Sequence, residues 1–308
     1  MLNRRTLIAG VPAMLLARPV GALSAPPKDA TSGYQDAAAR REIAAIEKQT
    51  GGRVGVALTS RSGETDFSWR GGERFAMCST FKAPLAFALF DAVEKRDLDL
   101  DARFALKKSD LVPYAPYVEK RLAEDQPVSF MQLAKAAVAI SDNAAANLIL
   151  KAIGGPAGFT RFVRNHGDEI TRLDRIEPFL NENKPDDPRD TTSPEAFASL
   201  MHSLMIARPK HKHSTTVYDW MANSPTGRNR IRLGLPYGWP VGTKTGTAAG
   251  GIAVNDVAIF WPSFSGYGGD EPRILSVYWD RPTVSRVETE LAMARIAKIA
   301  AWLVPREG

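Results

Sequence analysis

Ser79-Thr80-Phe81-Lys82 sets a hydroxyl and an amine three residues apart, directly before an apolar run, Ala83 to Val93, that reads as a buried helix. With Ser79 at the helix start, Lys82 lies on the same face, one turn along. A serine hydroxyl is a weak nucleophile at neutral pH and needs a neighbouring base or field to activate it. The free N–H groups of a helix N-terminus would also favour a developing oxyanion. Alone, the spacing says little. A Ser-x-x-Lys match arises about once in a chain of this length from residue usage, and a capping serine followed by a surface lysine gives the same letters.

Three further signals follow in order. Ser141-Asp142-Asn143 opens a helical segment, Ala144 to Leu150. Glu177-Pro178-Phe179-Leu180-Asn181 stands in a long irregular stretch, and Lys244-Thr245-Gly246 ends an expected strand. By residue usage, all four in this order have a chance expectation of roughly 10⁻⁵ per chain. The set therefore carries weight that its first member lacks.

The elements that must position these residues can be read from periodicity. Residues 34–49 place Ala39, Ile43 and Ile46 at helical spacing, and Gly51-Gly52 stops them. Residues 53–59 and 65–69 read as strands around Ser62-Gly63, a hairpin signal. From about residue 79 to 231 the pattern is mainly helical, with proline-rich interruptions. Strand character returns at 241–247, 252–261 and 273–280, and an amphipathic helix spans roughly 286–303. Strands at both ends with helices between them predict an α/β (α+β) chain of two lobes. A sheet domain is assembled from residues 26–70 and 232–308, with a helical domain, 71–231, inserted. A cleft between such lobes is a favoured place for a small-molecule site.

Composition narrows the rest. The 308 residues are 44% hydrophobic, ample for a sizeable core, and no apolar stretch is long enough for a transmembrane helix. The formal charge is +6, and Arg4, Arg5 and Arg18 lie in the first 25 residues, which hold no acid. Without those three the charge is +3, with both signs interspersed, so no nucleic-acid partner is expected. Residues 1–25 read as an export signal: Arg4-Arg5, an apolar run from Leu7 to Ala17, then small residues near Ala22 and Ala25. Asn3-Arg4-Arg5-Thr6-Leu7 resembles the twin-arginine form. The mature chain is expected in the periplasm or secreted. One cysteine, Cys78, excludes an intramolecular disulfide and is expected to pack in the interior. His211-Lys212-His213 has no acidic residue beside it and reads as surface, so neither zinc nor another cofactor is expected.

The motif set resembles the class A serine β-lactamases. The likeness extends to Arg172-Leu173-Asp174-Arg175-Ile176-Glu177-Pro178, Arg189-Asp190-Thr191-Thr192 and Gly242-Thr243-Lys244-Thr245-Gly246-Thr247. It implies an antiparallel sheet flanked by terminal helices, with the helical domain including an Ω-loop over 175–190. It also implies hydrolysis of penicillins and cephalosporins by a monomer. By the same resemblance Ser79 is the acylated nucleophile, and Lys82 shuttles or accepts its proton. Ser141 relays a proton to the leaving nitrogen, and Lys244 stabilises that serine. Glu177, with Asn181, activates the water that clears the acyl-enzyme. Whether Lys82 or Glu177 is the acylation base stays open. Tyr114, Asn143, Arg230, Thr245, Gly246 and Thr247 are the implied substrate contacts. Backbone N–H groups of Ser79 and Thr247 make the oxyanion hole. Arg175 and Asp190 form the ion pair that closes the loop, and the Glu177–Pro178 bond is expected to be cis.

Overall fold

The computed structural model describes residues 28–95, 99–207, 211–262 and 272–304. The expected export segment, 1–25, lies outside them. The chain opens with α1 (Lys28–Thr50), β1 (Arg53–Thr59), β2 (Thr65–Trp69) and the short β3 (Phe75–Ala76). A 3-10 turn, Cys78–Phe81, leads into α2 (Lys82–Lys95). Next come β4 (Arg103–Phe104), α3 (Pro116–Ala123), β5 (Val128–Ser129), α4 (Phe130–Ala139), α5 (Asn143–Ile153) and α6 (Gly155–Asn165). A long irregular segment leads to β6 (Thr191–Thr192), α7 (Pro194–Met205), α8 (Ser214–Ala222) and α9 (Ile231–Gly234). Then β7 (Val241–Thr247), β8 (Ala253–Phe260), β9 (Arg273–Asp280) and α10 (Arg286–Leu303) complete the described chain.

The main sheet is antiparallel throughout, in the order β2-β1-β9-β8-β7. It therefore joins strands from both ends of the chain, as their separate positions in the sequence predict. Strand side chains alternate between two faces. Val54, Val56, Leu58, Leu275, Val277 and Trp279 face one core with Ile43 and Ile46 of α1 and Met293 and Ile296 of α10. Ala57, Val257, Ile259, Ile274 and Tyr278 face the second core, built on α2, α4, α5 and α7. Ala39, Ile43 and Ile46 are all buried, as their spacing requires, although α1 begins six residues earlier than its periodicity indicates.

Within the helical lobe, α2 is buried continuously from Lys82 to Phe90. A helix apolar on every side belongs in the middle of a lobe. Asp142 ties the lobe to the cleft. Its Oδ1 caps α5 by accepting from Ala145 N (2.8 Å), and its Oδ2 accepts from Tyr117 N (2.8 Å) and Val118 N (3.1 Å) at the start of α3. One fully buried carboxylate thus satisfies orphan N–H groups at two helix starts.

Two local expectations change. Ser79 lies not in the first turn of α2 but in the preceding 3-10 turn, where residues three apart eclipse. Cys78, at φ +47°, helps turn the chain there. The histidine pair is also not a free surface feature. His211 Nε2 lies 3.0 Å from Asp91 Oδ1 of α2, and its ring meets Phe87 edge-on. The His213 ring packs 4.1 Å from that of Phe90. The acidic partner is remote in sequence, so inspecting the neighbours of the pair could not reveal it.

Asp142→Ala should lower unfolding stability by about 2–4 kcal/mol, since it strands three buried N–H groups. Denaturant unfolding against the wild type measures this, and a loss under 1 kcal/mol would contradict the double-cap assignment.

Candidate active site

The 3-10 turn carrying Ser79 is held against the sheet by small and polar contacts. A Cβ on Gly246 would meet Met77 O at 2.6 Å and Cys78 Cβ at 3.2 Å, so only glycine lets β7 run this close. Asn255, fully buried on β8, donates to Ala76 O (2.8 Å) and Met77 O (3.1 Å) and accepts from Trp279 N. Cys78 is buried, and burial raises its thiol far above the ordinary range, consistent with its expected packing role.

Ser79, Lys82, Ser141, Asn143, Glu177, Asn181 and Lys244 converge here. Lys82 Nζ donates to Ser79 Oγ (2.9 Å), Ser141 O (2.9 Å) and Asn143 Oδ1 (2.5 Å), and pairs with Glu177 Oε1 at 2.9 Å. Ser79 Oγ lies 3.5 Å from that same carboxylate oxygen. Glu177 Oε2 accepts from Asn181 Nδ2 at 2.5 Å. On the opposite side, Lys244 Nζ donates to Ser141 Oγ (3.1 Å). The Lys82 and Glu177 side chains are completely buried, whereas Ser79 is partly exposed to the cleft. Burial pushes the Lys82 ammonium below the ordinary lysine range, opposed by Glu177. Lys244 is driven down further, by burial and by the repulsion of Lys82.

The loop carrying Glu177 is held at its neck and at its centre. Arg175 Nε meets Asp190 Oδ2 at 2.5 Å, while Asp190 Oδ1 accepts from Asp174 N and Arg175 N. The Glu177–Pro178 bond is cis. Asn147 was missed by the sequence reading. Its side chain exchanges two 2.9 Å bonds with the backbone N–H and carbonyl of Glu177. Its position four residues after Asn143 on the same helix face was the available signal.

Outside this cluster lies a cleft of about 690 Å³ lined by Ser79, Tyr114, Ser141, Asn143, Asn181, Arg230, Thr245 and Thr247. Tyr114 stands exposed on its rim at φ +61°. Arg230 is buried and donates to Gly246 O, Asn255 O and Thr247 Oγ1. It also pairs with Glu290 at 3.0 Å. Glu290 and Thr226, which bonds Thr245 Oγ1 at 3.1 Å, line the cleft as well and were not singled out from sequence.

Behind β7 lies Asp256, fully buried, with Oδ2 accepting from Ile231 N at 3.3 Å. Burial raises its carboxyl to about 7, opposed by Arg230, the Ile231 N–H, Lys244 and Arg232. A polar pair, Asn255-Asp256, inside an otherwise apolar strand was the sequence signal for it.

Residues 38–303 match the beta-lactamase enzyme family. The chain is 38% identical to beta-lactamase CTX-M-97 of Escherichia coli over 271 residues, 88% of this chain and 90% of that one. It is 40% identical to the carbapenem-hydrolyzing beta-lactamase KPC of Klebsiella oxytoca, over 84% and 86% of the two chains. The class A β-lactamase of the last common ancestor of Gram-negative bacteria superposes with a TM-score of 0.79 at 41% identity, covering 85% of this chain and 97% of that one. A putative class A enzyme, PenP from Rhodopseudomonas palustris, gives 0.79 at 38% identity, over 87% and 100% of the chains. The chain belongs to the beta-lactamase family and is a class A β-lactamase.

The raised Asp256 carboxyl predicts a pH dependence of stability. Because about 7 lies above the ordinary carboxylate value of 3.8, the folded protein keeps a proton that the unfolded chain has released. Stability from this group is complete below about pH 4 and is lost as pH rises through 7. The non-titrating Asp256→Asn variant should therefore gain on the wild type between pH 4 and pH 8, by about 4 kcal/mol. A constant difference in unfolding free energy across that range would refute the assignment.

Proposed function

We propose that the protein hydrolyses penicillins and cephalosporins through an acyl-enzyme on Ser79, cleared by water that Glu177 activates. The observation that carries this reading is one carboxylate, Glu177, shared by Lys82 and Ser79 through Oε1 and by Asn181 through Oε2. Lys82 Nζ, the nearer base at 2.9 Å, takes the Ser79 proton as Oγ attacks the lactam carbonyl. Its depressed proton affinity lets a neutral fraction exist beside the nucleophile. Backbone N–H groups of Ser79 and Thr247 hold the oxyanion, where one donor is typically worth about 3 kcal/mol. Ser141, oriented by Lys244, passes a proton to the ring nitrogen as the C–N bond breaks.

Deacylation needs a second proton acceptor on the loop side. Asn181 Oδ1 is buried without a protein partner among the described residues, while its Nδ2 is committed to Glu177. A water donating to that oxygen and to Glu177 would be deprotonated as it attacks the ester, and Ser79 would leave with the returned proton. Penicillin-binding proteins share the serine and lysine motifs without such a glutamate and stay acylated.

Lys244, Thr245, Thr247 and Arg230 present positive charge and donors to the substrate carboxylate, with Asn143 and Tyr114 beside the acylamino side. Glu290 already holds Arg230, so a bound carboxylate shares that guanidinium with it. Export through the basic N-terminal segment and action as a monomer complete the proposal. The arginine pair and the apolar run of residues 1–25 support export.

Two measurements test this. Trace protein mixed with excess benzylpenicillin should consume many equivalents, with Ser79→Ala inactive. Glu177→Gln should stop after one equivalent with its mass raised by one penicillin, and turnover should fall about 10²–10⁴-fold. A wild type that itself stops at one equivalent would make the protein a receptor or peptidase instead. Separately, Glu290→Gln should lower KM several-fold with kcat little changed, since the guanidinium freed from one carboxylate becomes available to another. An unchanged or higher KM would mean that Arg230 does not meet the substrate.

A further inference from the structure

The Ω-loop has a second attachment, on the far side from its neck. Asn183 follows Asn181 by two residues and sits at φ +45°, a left-handed conformation that asparagine tolerates. Its Nδ2 donates to Ile252 O (3.1 Å) in the β7–β8 turn and to Asp280 Oδ1 (3.0 Å) at the end of β9. Arg281 closes the arrangement. Its backbone N–H donates to the same Ile252 carbonyl (2.8 Å), one guanidinium nitrogen to Asp280 Oδ1 (2.9 Å), and the other to Asn183 O. The second oxygen of Asp280 takes Arg53 at 3.0 Å. The side chain and the carbonyl of Asn183 are therefore both held by the end of the main sheet.

This attachment bears on one half of the reaction. The bonds of the Asn181 amide, to Glu177 Oε2 and Pro178 O, are internal to the loop. They fix its orientation relative to Glu177 but not relative to the sheet that carries Thr247 and the acyl carbonyl. Asn147 anchors the Glu177 backbone to α5, and Arg175 with Asp190 closes the neck. Asn183 supplies the link from the distal limb to the sheet. Ser79, Ser141 and Lys244 lie on other elements, and Lys82, although it pairs with Glu177, is also held by Ser79 Oγ, Ser141 O and Asn143 Oδ1 outside the loop.

We propose that Asn183 is a positioning residue for deacylation, clipping the distal limb of the Ω-loop to Ile252 and Asp280 so that Asn181 and Glu177 hold their water against the acyl carbonyl. The proposal rests on the role given to Glu177 above. Water attack tolerates little displacement, since a shift near 1 Å can cost about a hundredfold. Acylation, which uses groups anchored elsewhere, is spared.

Asn183→Gly keeps the left-handed backbone available and removes the clip. Asn183→Asp keeps shape and backbone tolerance but turns a carboxylate toward Asp280 and the Ile252 carbonyl. Rapid mixing with benzylpenicillin, with the acyl-enzyme followed by mass, separates the two steps. Acylation should stay within about twofold of wild type, while deacylation slows about ten- to a hundredfold in Asn183→Gly and further in Asn183→Asp. Thermal melts of both variants report whether the fold is retained. Wild-type deacylation in both variants would overturn the proposal, as would parallel loss of both steps, which would make the clip general scaffolding. A wild type that accumulates acyl-enzyme would overturn the Glu177 reading itself, an outcome distinct from either.

Discussion

A lysine ammonium with no solvent exposure, Lys82, is the constraint around which the rest is arranged. Removing such a charge from water costs several kcal/mol unless paired and hydrogen-bonded groups replace the lost hydration. Its partners come from four places in the chain: the 3-10 turn, the residue before the Asp142 cap, the first residue of α5 and the Ω-loop. The helical lobe must therefore bring α2, α5 and the loop together before the lysine is satisfied. The double cap by Asp142 and the Asn147 bonds to Glu177 are the means. What satisfies the lysine in the resting protein is also what holds its Nζ 2.9 Å from Ser79 Oγ, the geometry on which the proposed proton transfer rests.

A second lysine, Lys244, is buried on the other side of Ser141, and burial together with the Lys82 ammonium weakens its proton affinity. Glu177 offsets both lysines, and Asp256 adds to this only where its raised carboxyl has released its proton, above about pH 7. Arg230 adds a third cation, matched by Glu290. The positive field in the cleft is thus a balance of buried charges, not a surface patch, and it is screened little by salt. A modest net charge for the whole chain is compatible with a strong local field.

The sequence made the main elements legible because each has a local signal. The strands of the sheet and α10 follow from alternation and amphipathicity, and Ser79, Lys82, Ser141, Glu177 and Lys244 stand in short motifs. Hidden were partnerships formed across the chain. Asp91 meets His211, Glu290 meets Arg230, and Asn255 reaches the backbone just before Ser79, all at separations that no window of residues contains. The 3-10 turn at Ser79 was hidden for another reason. A 3-10 turn and a first α-helical turn share the same apolar spacing, and the difference is decided by how closely β7 packs on Met77 and Cys78.

The two halves of the proposed reaction rest on elements of different kinds. Ser79, Lys82, Ser141 and Lys244 are set on or beside helices and strands whose side chains are locked in two cores. Glu177 and Asn181 stand on an irregular segment held by polar contacts at its neck, its centre and its distal limb. Sites on regular elements are held more precisely than sites on loops, and loops accept change more readily. A protein that acylates once and a protein that turns over can thus share the first set and differ in the second. In the proposed mechanism the loop then decides whether an acylated serine is an end point or an intermediate, while the Lys82–Glu177 pair remains the link through which the loop touches the acylating core.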